Sequence, residues 1–268
     1  MLRLTVNGAA GRMGRRVTAV AAAANDVHVI AALENQDHPQ IGRDAGELAG
    51  IETLNVPVLS QLDDDAEIDV IIDFSKPEGA EHATALARSR GIPLVIATTG
   101  LSDTQQAAIR AAAEIIPIVW APSMSLTVNL AMKLCALASS TLAAQTGQVD
   151  VEIIERHHRF KEDAPSGTAF RFGEIVAKEM GQTLHRHGRE GMTGQRSSDE
   201  IGYHALRTGD NPGEHTIIFA PLGETLEITV RASNRDCYAI GALAAARFVV
   251  KQSPGLYGMD DVLGLKHI

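Results

Sequence analysis

The first 125 residues alternate short β-rich runs with alanine-rich amphipathic stretches, and this alternation restricts the possible folds more than any other feature. The predicted strands are LRLTVNG, HVIAALE, DVIIDF, PLVIATTG and PIVWAP, and the predicted helices between them are GRRVTAVAAAA, EGAEHATALARS and SDTQQAAIRAAA. Nearly continuous apolar strands separated by helices are typical of βαβ units around a buried parallel sheet. The sequence therefore predicts the α/β class, with a doubly wound, Rossmann-type first domain.

The regular alternation of predicted strands and helices ends after about Ser125. A long helix is predicted from Thr127 to Ala144, followed by the strand VDVEIIER and by a helix that begins near Ser166. The later pieces EIGYHALR, EHTIIFAP and ETLEITVR are separated by turn residues, as in an antiparallel or mixed sheet. The helix YAIGALAAARFVV and the apolar tail after it are predicted to pack back on the first domain. We expect a domain of residues 1–126, completed by about 237–268, and an α+β domain of residues 127–236 with a mixed sheet.

Composition narrows the function classes. The chain has 268 residues and a formal net charge of −9, which argues against a general affinity for nucleic acid or an anionic membrane. The first residues lack the apolar core of a signal peptide, and no run of 18 apolar residues predicts a membrane span. Cys135 and Cys237 lack CxxC spacing and are interpreted as reduced, structural cysteines. We therefore expect a cytoplasmic protein that binds neither nucleic acid nor membrane.

A glycine-rich loop from Gly8 to Gly14 joins the first strand to the first helix with GxxGxxG spacing. Glycines allow a sharp turn and let backbone N–H groups approach a pyrophosphate, which the helix N-terminus stabilises. Glycine-rich turns also serve packing alone, so the motif by itself is weak. Its place at the first βα turn favours a dinucleotide, because Glu34 ends the next strand, where an acid accepts ribose hydroxyls.

The choice of dinucleotide is less constrained. NADP usually requires a cation near the ribose-binding acid, whereas Glu34 is followed by Asn35 and Gln36, so the sequence favours NADH. Arg12 or Arg16 could still meet a 2′-phosphate, which leaves use of both NADH and NADPH open. The loops ATTG and APSMS each follow a predicted parallel strand and are candidate nicotinamide contacts, with ordinary turns as the alternative.

The stretch ERHHRFKEDAPSGTA carries the candidate reaction chemistry. His157 and His158 would point to opposite sides of a continuing strand, unless a loop begins there. Histidine transfers protons near neutral pH, and Lys161 adds a cation that can bind a carboxylate or donate a proton. The turn from Ser166 to Thr168 resembles a helix start, which binds anions. Together these groups predict a receptor for a small carboxylate substrate.

A metal site is the alternative interpretation of the same stretch, with His157, His158 and Asp163 as ligands. Neighbouring histidines are poorly spaced for one ion, and neither HExxH nor a cysteine pair accompanies them. No metal is therefore expected. His185 and His187 are predicted to lie in an exposed polar loop, not in a site.

These motifs occur in an order that identifies a family. The glycine loop, Glu34, ATTG, APSMS and ERHHRFKEDAPSGTA are followed by RTGDNPGEHTIIFAPLGETLEITVRASNR and by LYGMDDVLGL in the tail. Over nearly its full length the sequence closely resembles the 4-hydroxy-tetrahydrodipicolinate reductase family of bacterial lysine and diaminopimelate synthesis. The resemblance implies NAD(P)H-dependent reduction of a cyclic, unsaturated dicarboxylate with loss of water. It also implies a homotetramer joined through the sheet of the second domain.

The resemblance implies roles for particular residues. His157 is the proton donor or acceptor, and Lys161 is the proton donor. The substrate-binding residues that it implies are His158, Ser166, Gly167 and Thr168. The cofactor-binding residues that it implies are Gly8, Ala9, Ala10, Gly11, Arg12, Met13, Glu34, Ala97, Thr98, Thr99, Ala121, Pro122, Ser123 and Met124.

The sequence departs from the family pattern at four positions. Family members that use NADPH well often carry Arg where Asn35 stands, and Ala97, Ser123 and Thr127 replace a common Gly, Asn and Gly. Two competing functions remain at this stage. One is a related dehydrogenase for another small oxo- or imino-acid, and the other is a dinucleotide sensor, which would need neither His157 nor Lys161.

Overall fold

The computed structural model describes residues 1–146 and 148–266. Within it the chain forms two compact units, one of Met1–Leu126 with Arg235–Ile268 and one of Thr127–Asn234. The first unit contains a parallel sheet and the second a mixed sheet, which confirms the predicted fold class. The assignment of dinucleotide to the first unit and substrate to the second stays a prediction.

The secondary structure follows the predicted order. The strands are β1 (Leu2–Asn7), β2 (Val27–Leu33), β3 (Val58–Leu59), β4 (Val70–Asp73), β5 (Leu94–Ile96), β6 (Pro117–Trp120), β7 (Asp150–His157), β8 (Leu184–His187), β9 (Glu200–Arg207), β10 (Glu214–Ala220), β11 (Leu226–Arg231) and β12 (Gly255–Tyr257). The helices are α1 (Arg12–Ala22), α2 (Ala45–Ala49), α3 (Pro77–Arg90), α4 (Asp103–Ala113), α5 (Leu126–Thr146), α6 (Gly167–Met180), α7 (Asp236–Val249) and α8 (Met259–Val262).

The first unit is built on the strand order β12-β6-β5-β4-β1-β2-β3, in which every pair is parallel. The central strands β4 and β5 are buried along their whole length, as expected for a parallel sheet covered on both faces. The alanine-rich helix α7 contributes buried residues such as Ala242 and Ala246 to the core of this unit, which includes the C-terminal piece of the chain. Ser102 is the N-cap of α4, in a capping box with Gln105.

The second unit has the strand order β11-β10-β7-β9-β8. Strand β7 pairs in parallel with β9 and antiparallel with β10, so the sheet is mixed. One face of the sheet packs with α5 and α6 into a core that includes Cys135, Ile153, Phe172 and Phe219. Burial alternates along β7, so alternate residues from Val151 onward face this covered side.

The expectation for the two later histidines was wrong. His185 and His187 lie in β8, the edge strand, and not in an exposed loop. His185 Nδ1 lies 2.8 Å from the hydroxyl of Tyr203 on the neighbouring strand. The sequence LHRH gave no sign of this because a short, polar edge strand lacks the apolar alternation that identifies strands.

Helix α5 is long and apolar enough, by length and composition alone, to cross a membrane. In the structure Val128, Ala131 and Cys135 of this helix are buried in the core of the second unit. A core helix passes the same test of length and composition, so the helix is weak evidence for a membrane span.

Candidate active site

The end of β7 places two polar residues on the covered face of the second sheet. Glu155 and His157 are two residues apart on the strand, so both side chains point to the same side and both are buried. The strand ends at His157, so His158 begins a loop and is free of the strand's alternation. The objection that neighbouring strand residues point to opposite sides therefore does not apply to His158.

Glu155 is the centre of a buried hydrogen-bond network. Its Oε2 lies 2.6 Å from His157 Nδ1, and its two oxygens accept hydrogen bonds of 2.8 and 2.9 Å from the Arg207 guanidinium. Burial alone would raise the pKa of Glu155, but the hydrogen bonds from Arg207 and His157 outweigh it and lower the pKa. Glu155 is therefore an ionised carboxylate at neutral pH.

The two buried imidazoles are held in the neutral form. Burial lowers the pKa of His157, and the hydrogen bond to Glu155 opposes this effect only in part. Burial also lowers the pKa of His215 to about 4, and its ring lies edge-on to that of His157 with 5.2 Å between ring centroids. Because a carboxylate can only accept, His157 carries its proton on Nδ1 and leaves Nε2 as an acceptor.

The N-terminal turn of α6 follows the loop. The Ser166 hydroxyl is the N-cap, accepting from the N–H of Ala169, and lies 3.0 Å from His215 Nε2, so it is engaged within the protein. A methyl group built on Gly167 would meet nothing within 4 Å, which leaves open space at the start of the helix. The first-turn N–H groups, including those of Gly167 and Thr168, can therefore meet an anion there.

Lys161 lies in the loop between β7 and α6. Its ammonium donates to the carboxylate of Asp163 at 2.7 and 2.9 Å, in a pair whose acidic partner is largely exposed. The positive charge of Lys161 is also close enough to lower the pKa of His157, after the larger effect of burial. The structure thus brings His157 and Lys161 into one electrostatic environment.

His158 is the remaining member of the predicted substrate group. Its Nδ1 is buried and has no hydrogen-bond partner in residues 1–146 and 148–266. Buried polar atoms are normally satisfied, so this ring nitrogen is an exception within the described residues. Over the same residues no three His, Cys, Asp or Glu side chains group as metal ligands.

Backbone N–H groups of the glycine loop in the first unit donate hydrogen bonds to the end of the neighbouring strand and the residue after it. The N–H groups of Gly8 and Ala9 donate to the carbonyl of Leu33, and that of Ala10 donates to the Glu34 carboxylate at 3.2 Å. These donors are therefore engaged within the protein, and the donors that remain for a phosphate are those of the first turn of α1, around Arg12 and Met13. Glu34 lies beside this turn, at the end of β2.

Asp73, at the end of β4, is a buried anchor beneath these loops. It accepts hydrogen bonds of 2.7 Å from Asn7 at the end of β1, 2.5 Å from Ser75 and 2.6 Å from Thr98, which follows β5. Burial raises the pKa of Asp73, although these hydrogen bonds oppose the change. Asp73 therefore ties the carboxyl ends of three neighbouring strands together.

The two candidate nicotinamide loops differ in accessibility. In the ATTG loop Ala97 and Thr98 are buried and Thr99 is exposed. In the APSMS loop Ala121 and Met124 are buried, Ser123 is half-buried and Pro122 is exposed. Backbone atoms of these loops, together with the side chain of Thr99, remain the groups best able to meet a ligand.

Comparison with known proteins decides the family. The model of the dihydrodipicolinate reductase N-terminus matches residues 2–124, and that of the dihydrodipicolinate reductase C-terminus matches residues 127–263. The chain belongs to the dihydrodipicolinate reductase family. The resemblance found in the sequence is confirmed, and the chain is an oxidoreductase of a family that uses pyridine nucleotides.

Individual relatives of this dihydrodipicolinate reductase family member cover the whole chain. The 4-hydroxy-tetrahydrodipicolinate reductase of Rhodopirellula baltica is 53% identical over 270 residues, covering 98% of this chain and 96% of its own. That of Methylococcus capsulatus is 46% identical and covers 99% of both chains. The structure of dipicolinate-bound dihydrodipicolinate reductase from Paenisporosarcina sp. TG-14 is 26% identical, with a TM-score of 0.80 over 98% of this chain and 100% of its own.

The sequence of this reductase family member did not point to Glu155, Arg207, His215 or Asp73. Glu155 was detectable in principle, because its spacing from His157 puts both on one face of a strand. Arg207 and His215 come from β9 and β10, and nothing in a single sequence says that these strands flank β7. These three residues, together with the predicted Ser166, connect the parts of the candidate site.

Proposed function

We propose that this reductase family member catalyses the pyridine-nucleotide-dependent reduction of 4-hydroxy-tetrahydrodipicolinate to tetrahydrodipicolinate, with loss of water, in lysine and diaminopimelate biosynthesis. The relatives that match the whole chain carry the name of this activity. The observation that carries the proposal is the cluster at the end of β7, where a neutral His157 is oriented by Glu155 and lies near Lys161.

The substrate is a dicarboxylate, and the second unit offers groups for both of its charges. The N–H groups of Gly167 and Thr168 begin a helix with open space in front of them. Lys161 supplies a cation, and His158 supplies an imidazole at the start of the same loop. The Paenisporosarcina relative binds dipicolinate, a planar dicarboxylate, which supports the same substrate class.

His157 and Lys161 handle the protons. The nicotinamide, when bound, supplies hydride. Reduction of a conjugated C=C–C=N system leaves an electron-rich, enamine-like carbon that needs a proton. We assign this donation to the Lys161 ammonium, while neutral His157 accepts or relays a proton at Nε2. Cationic groups around the substrate stabilise its developing charge.

The cofactor is assigned to the first unit, on the first turn of α1 beside Glu34 and on the loops at Ala97–Thr99 and Ala121–Met124. NADH is favoured over NADPH, because Asn35 is neutral and its Oδ1 accepts the N–H of Asp37 in a local turn. Arg16 is engaged in a two-pronged ion pair with Asp236, so Arg12, which is exposed, is the better candidate for a 2′-phosphate.

A homotetramer joined through the second sheet is our proposal for the assembly. The face of β7 and β10 that turns away from the helices includes Ile154 and Ile218 among charged residues, and it is only partly buried. Such a face is suited to a second copy of the chain. Light scattering coupled to gel filtration would test this, and a monomer at micromolar concentration would contradict it.

We also assign the enzyme to the cytoplasm.

The decisive experiment follows NADH absorbance with freshly prepared 4-hydroxy-tetrahydrodipicolinate. Lys161→Ala and His157→Ala should each reduce kcat by about 10²–10⁴-fold, the usual contribution of a general acid or base. Calorimetry should show unchanged NADH affinity, since both residues lie in the second unit. Wild-type protein that binds NADH but never oxidises it would favour the sensor, and turnover of only another oxo- or imino-acid would favour the related dehydrogenase.

A further inference from the structure

The buried carboxylate of Glu155 contacts both the His157 ring and the first turn of α6, two groups that are assigned to the substrate site. Glu155 accepts from His157 Nδ1 through Oε2 at 2.6 Å, and it accepts from the N–H of Ser166, the N-cap of α6, through Oε1 at 3.1 Å. The same two oxygens receive the Arg207 guanidinium. Glu155 is 1% exposed, so it is shielded from solvent behind the groups that it holds.

Arg207 extends this network to the loop that carries Lys161. Its NH2 group donates both to Glu155 and to the carbonyl of Asp163, the residue that pairs with Lys161. The planar guanidinium makes the parallel bonds to the carboxylate that a lysine ammonium cannot reproduce. The proton-accepting ring, the anion-binding helix turn and the Lys161 loop are thus joined through one ion pair.

We propose that Glu155, with Arg207 as its counter-ion, is the positioning residue of the reductase site. It fixes His157 with the proton on Nδ1, and it holds the turn at Ser166 in place so that the N–H groups of α6 stay available to a substrate carboxylate. The proposal rests on the proposed function for what the site does. It goes beyond that function in assigning one residue to the geometry of both the proton and the anion sites.

The first consequence of this proposal is that Glu155 sets the tautomer of the His157 ring. An ionised carboxylate has no proton to give, so the bond to Nδ1 requires His157 to be protonated there. In Glu155→Gln the side-chain amide can donate as well as accept, so the ring can bind its proton on Nε2 instead. The acceptor that the reaction needs is then lost in nearly all of the molecules.

The charges around His157 come from every element that packs on it. They are Glu155 on β7, Arg207 on β9 and Lys161 in the following loop, and the neutral ring of His215 on β10 lies beside His157. Glu155 is the one group among them that favours protonated His157, while Lys161 and Arg207 oppose it. Replacing Glu155 by Gln therefore lowers the pKa of His157 further and moves the acid limb of the kcat profile to lower pH.

A merely structural role is the competing interpretation, and the chain offers a matched control. Glu200 on β9 is also 1% exposed and ion-paired, with two arginines, Arg186 and Arg189, where Glu155 has one. Within the described residues its side chain bonds to none of the residues assigned to the site. If only burial of a Glu–Arg pair matters, Glu155→Gln and Glu200→Gln should have similar effects.

The test compares wild type, Glu155→Gln and Glu200→Gln. We expect Glu155→Gln to lower kcat by about 10²-fold, the lower end of a general base contribution, with the acid limb shifted to lower pH and NADH affinity unchanged. Glu200→Gln should keep the wild-type profile. A wild-type pH profile and kcat in folded Glu155→Gln, or equal effects of the two substitutions, would overturn the proposal.

A second measurement needs neither activity nor a variant that folds. In ¹⁵N spectra of histidine-labelled wild-type protein, His157 should show the pattern of a ring protonated on Nδ1 near neutral pH. A ring protonated on Nε2 overturns the positioning role. If instead the ring has the expected tautomer but no NADH is oxidised with the substrate, the proposed function fails while the positioning geometry stands.

Discussion

Gly14 in the glycine loop gives a prediction whose size follows from the structure. A Cβ at position 14 would lie 2.7 Å from the Cα of Ala9 and would also overlap the carbonyl of Gly8. Carbon atoms in contact prefer about 3.5–4.0 Å, so the loop and the start of α1 must separate by roughly 1 Å. Forcing such overlap on backbone costs about 3 kcal/mol, at the upper end for overpacking.

A smaller effect acts in the opposite direction. Alanine is favoured over glycine inside a helix by roughly 0.5–1 kcal/mol, and Gly14 lies in the first turns of α1. The overlap exceeds this gain, so Gly14→Ala should lose about 2 kcal/mol of unfolding free energy. For a unit of this size that corresponds to a midpoint about 4–8 °C lower in thermal unfolding. Displacement of the turn should also weaken NADH at least tenfold by calorimetry.

Gly11→Ala is the matched control in the same loop. Gly11 has φ −71°, which any residue adopts, and a Cβ there would lie 3.1 Å from the Gly8 carbonyl oxygen, so a small adjustment suffices. We expect this variant to lose less than about 1 kcal/mol, since only the small preference for Gly over Ala at an N-cap is involved. NADH binding should still weaken, because the methyl group enters the path of the pyrophosphate. An unfolding midpoint for Gly14→Ala equal to that of wild type would refute the reasoning.

Three further predictions concern cofactor choice, the loop cation and pH. Asn35→Arg should raise the affinity for NADPH by about tenfold in calorimetry, because a charge-assisted hydrogen bond to the 2′-phosphate is worth roughly 1.5–3 kcal/mol. An unchanged affinity would mean that the 2′-phosphate does not lie beside residue 35. Asp163→Asn should lower the substrate KM by up to about fivefold, because Lys161 would lose the carboxylate that competes with the substrate and an exposed ion pair is worth at most ~1 kcal/mol. The free energy of unfolding should stay unchanged, and a raised KM would contradict this prediction. Of the stability that wild type loses as pH falls from 6.5 to about 4, His215 should account for on the order of 3 kcal/mol, because burial lowers its pKa and the unfolded state binds a proton that the folded state does not. His215→Gln should therefore lose less stability than wild type between pH 7 and pH 4.5 in urea unfolding, and equal losses would refute the prediction.

The fold was predictable because its signals are local. Each buried parallel strand is a short apolar run, and each helix has its own periodicity and caps, so the order of elements followed from the sequence. Short elements such as α2 and β3 were missed because five and two residues show no period. Strand β8 was missed because Leu184 is its one apolar residue, so its four residues show no alternation of apolar and polar side chains.

The connections within the site were less predictable than its residue types. A histidine pair, a lysine and a helix start are visible in ERHHRFKEDAPSGTA, but charged residues in a strand normally suggest solvent, so the burial of Glu155 was not foreseen. Hydroxyl groups pose a related difficulty. Ser166 and Thr98 were predicted to bind ligands, whereas the structure engages both hydroxyls inside the protein, one as an N-cap and one on Asp73. Sequence does not distinguish a cap from a ligand contact.

The site combines one fixed proton group and one exchangeable cation. His157 is bound to a buried carboxylate that is itself held by Arg207, so moving the ring would break its hydrogen bond to a buried charged acceptor, which costs roughly 1.5–3 kcal/mol. Lys161 instead pairs with Asp163, whose side chain is 61% exposed, and such a pair is worth at most ~1 kcal/mol. A substrate carboxylate can therefore replace Asp163 as the partner of Lys161 at little cost, while the orientation of His157 is set before the substrate arrives. This difference fits the proposed roles, with the orienting network around His157 and the proposed proton donor, Lys161, in the loop.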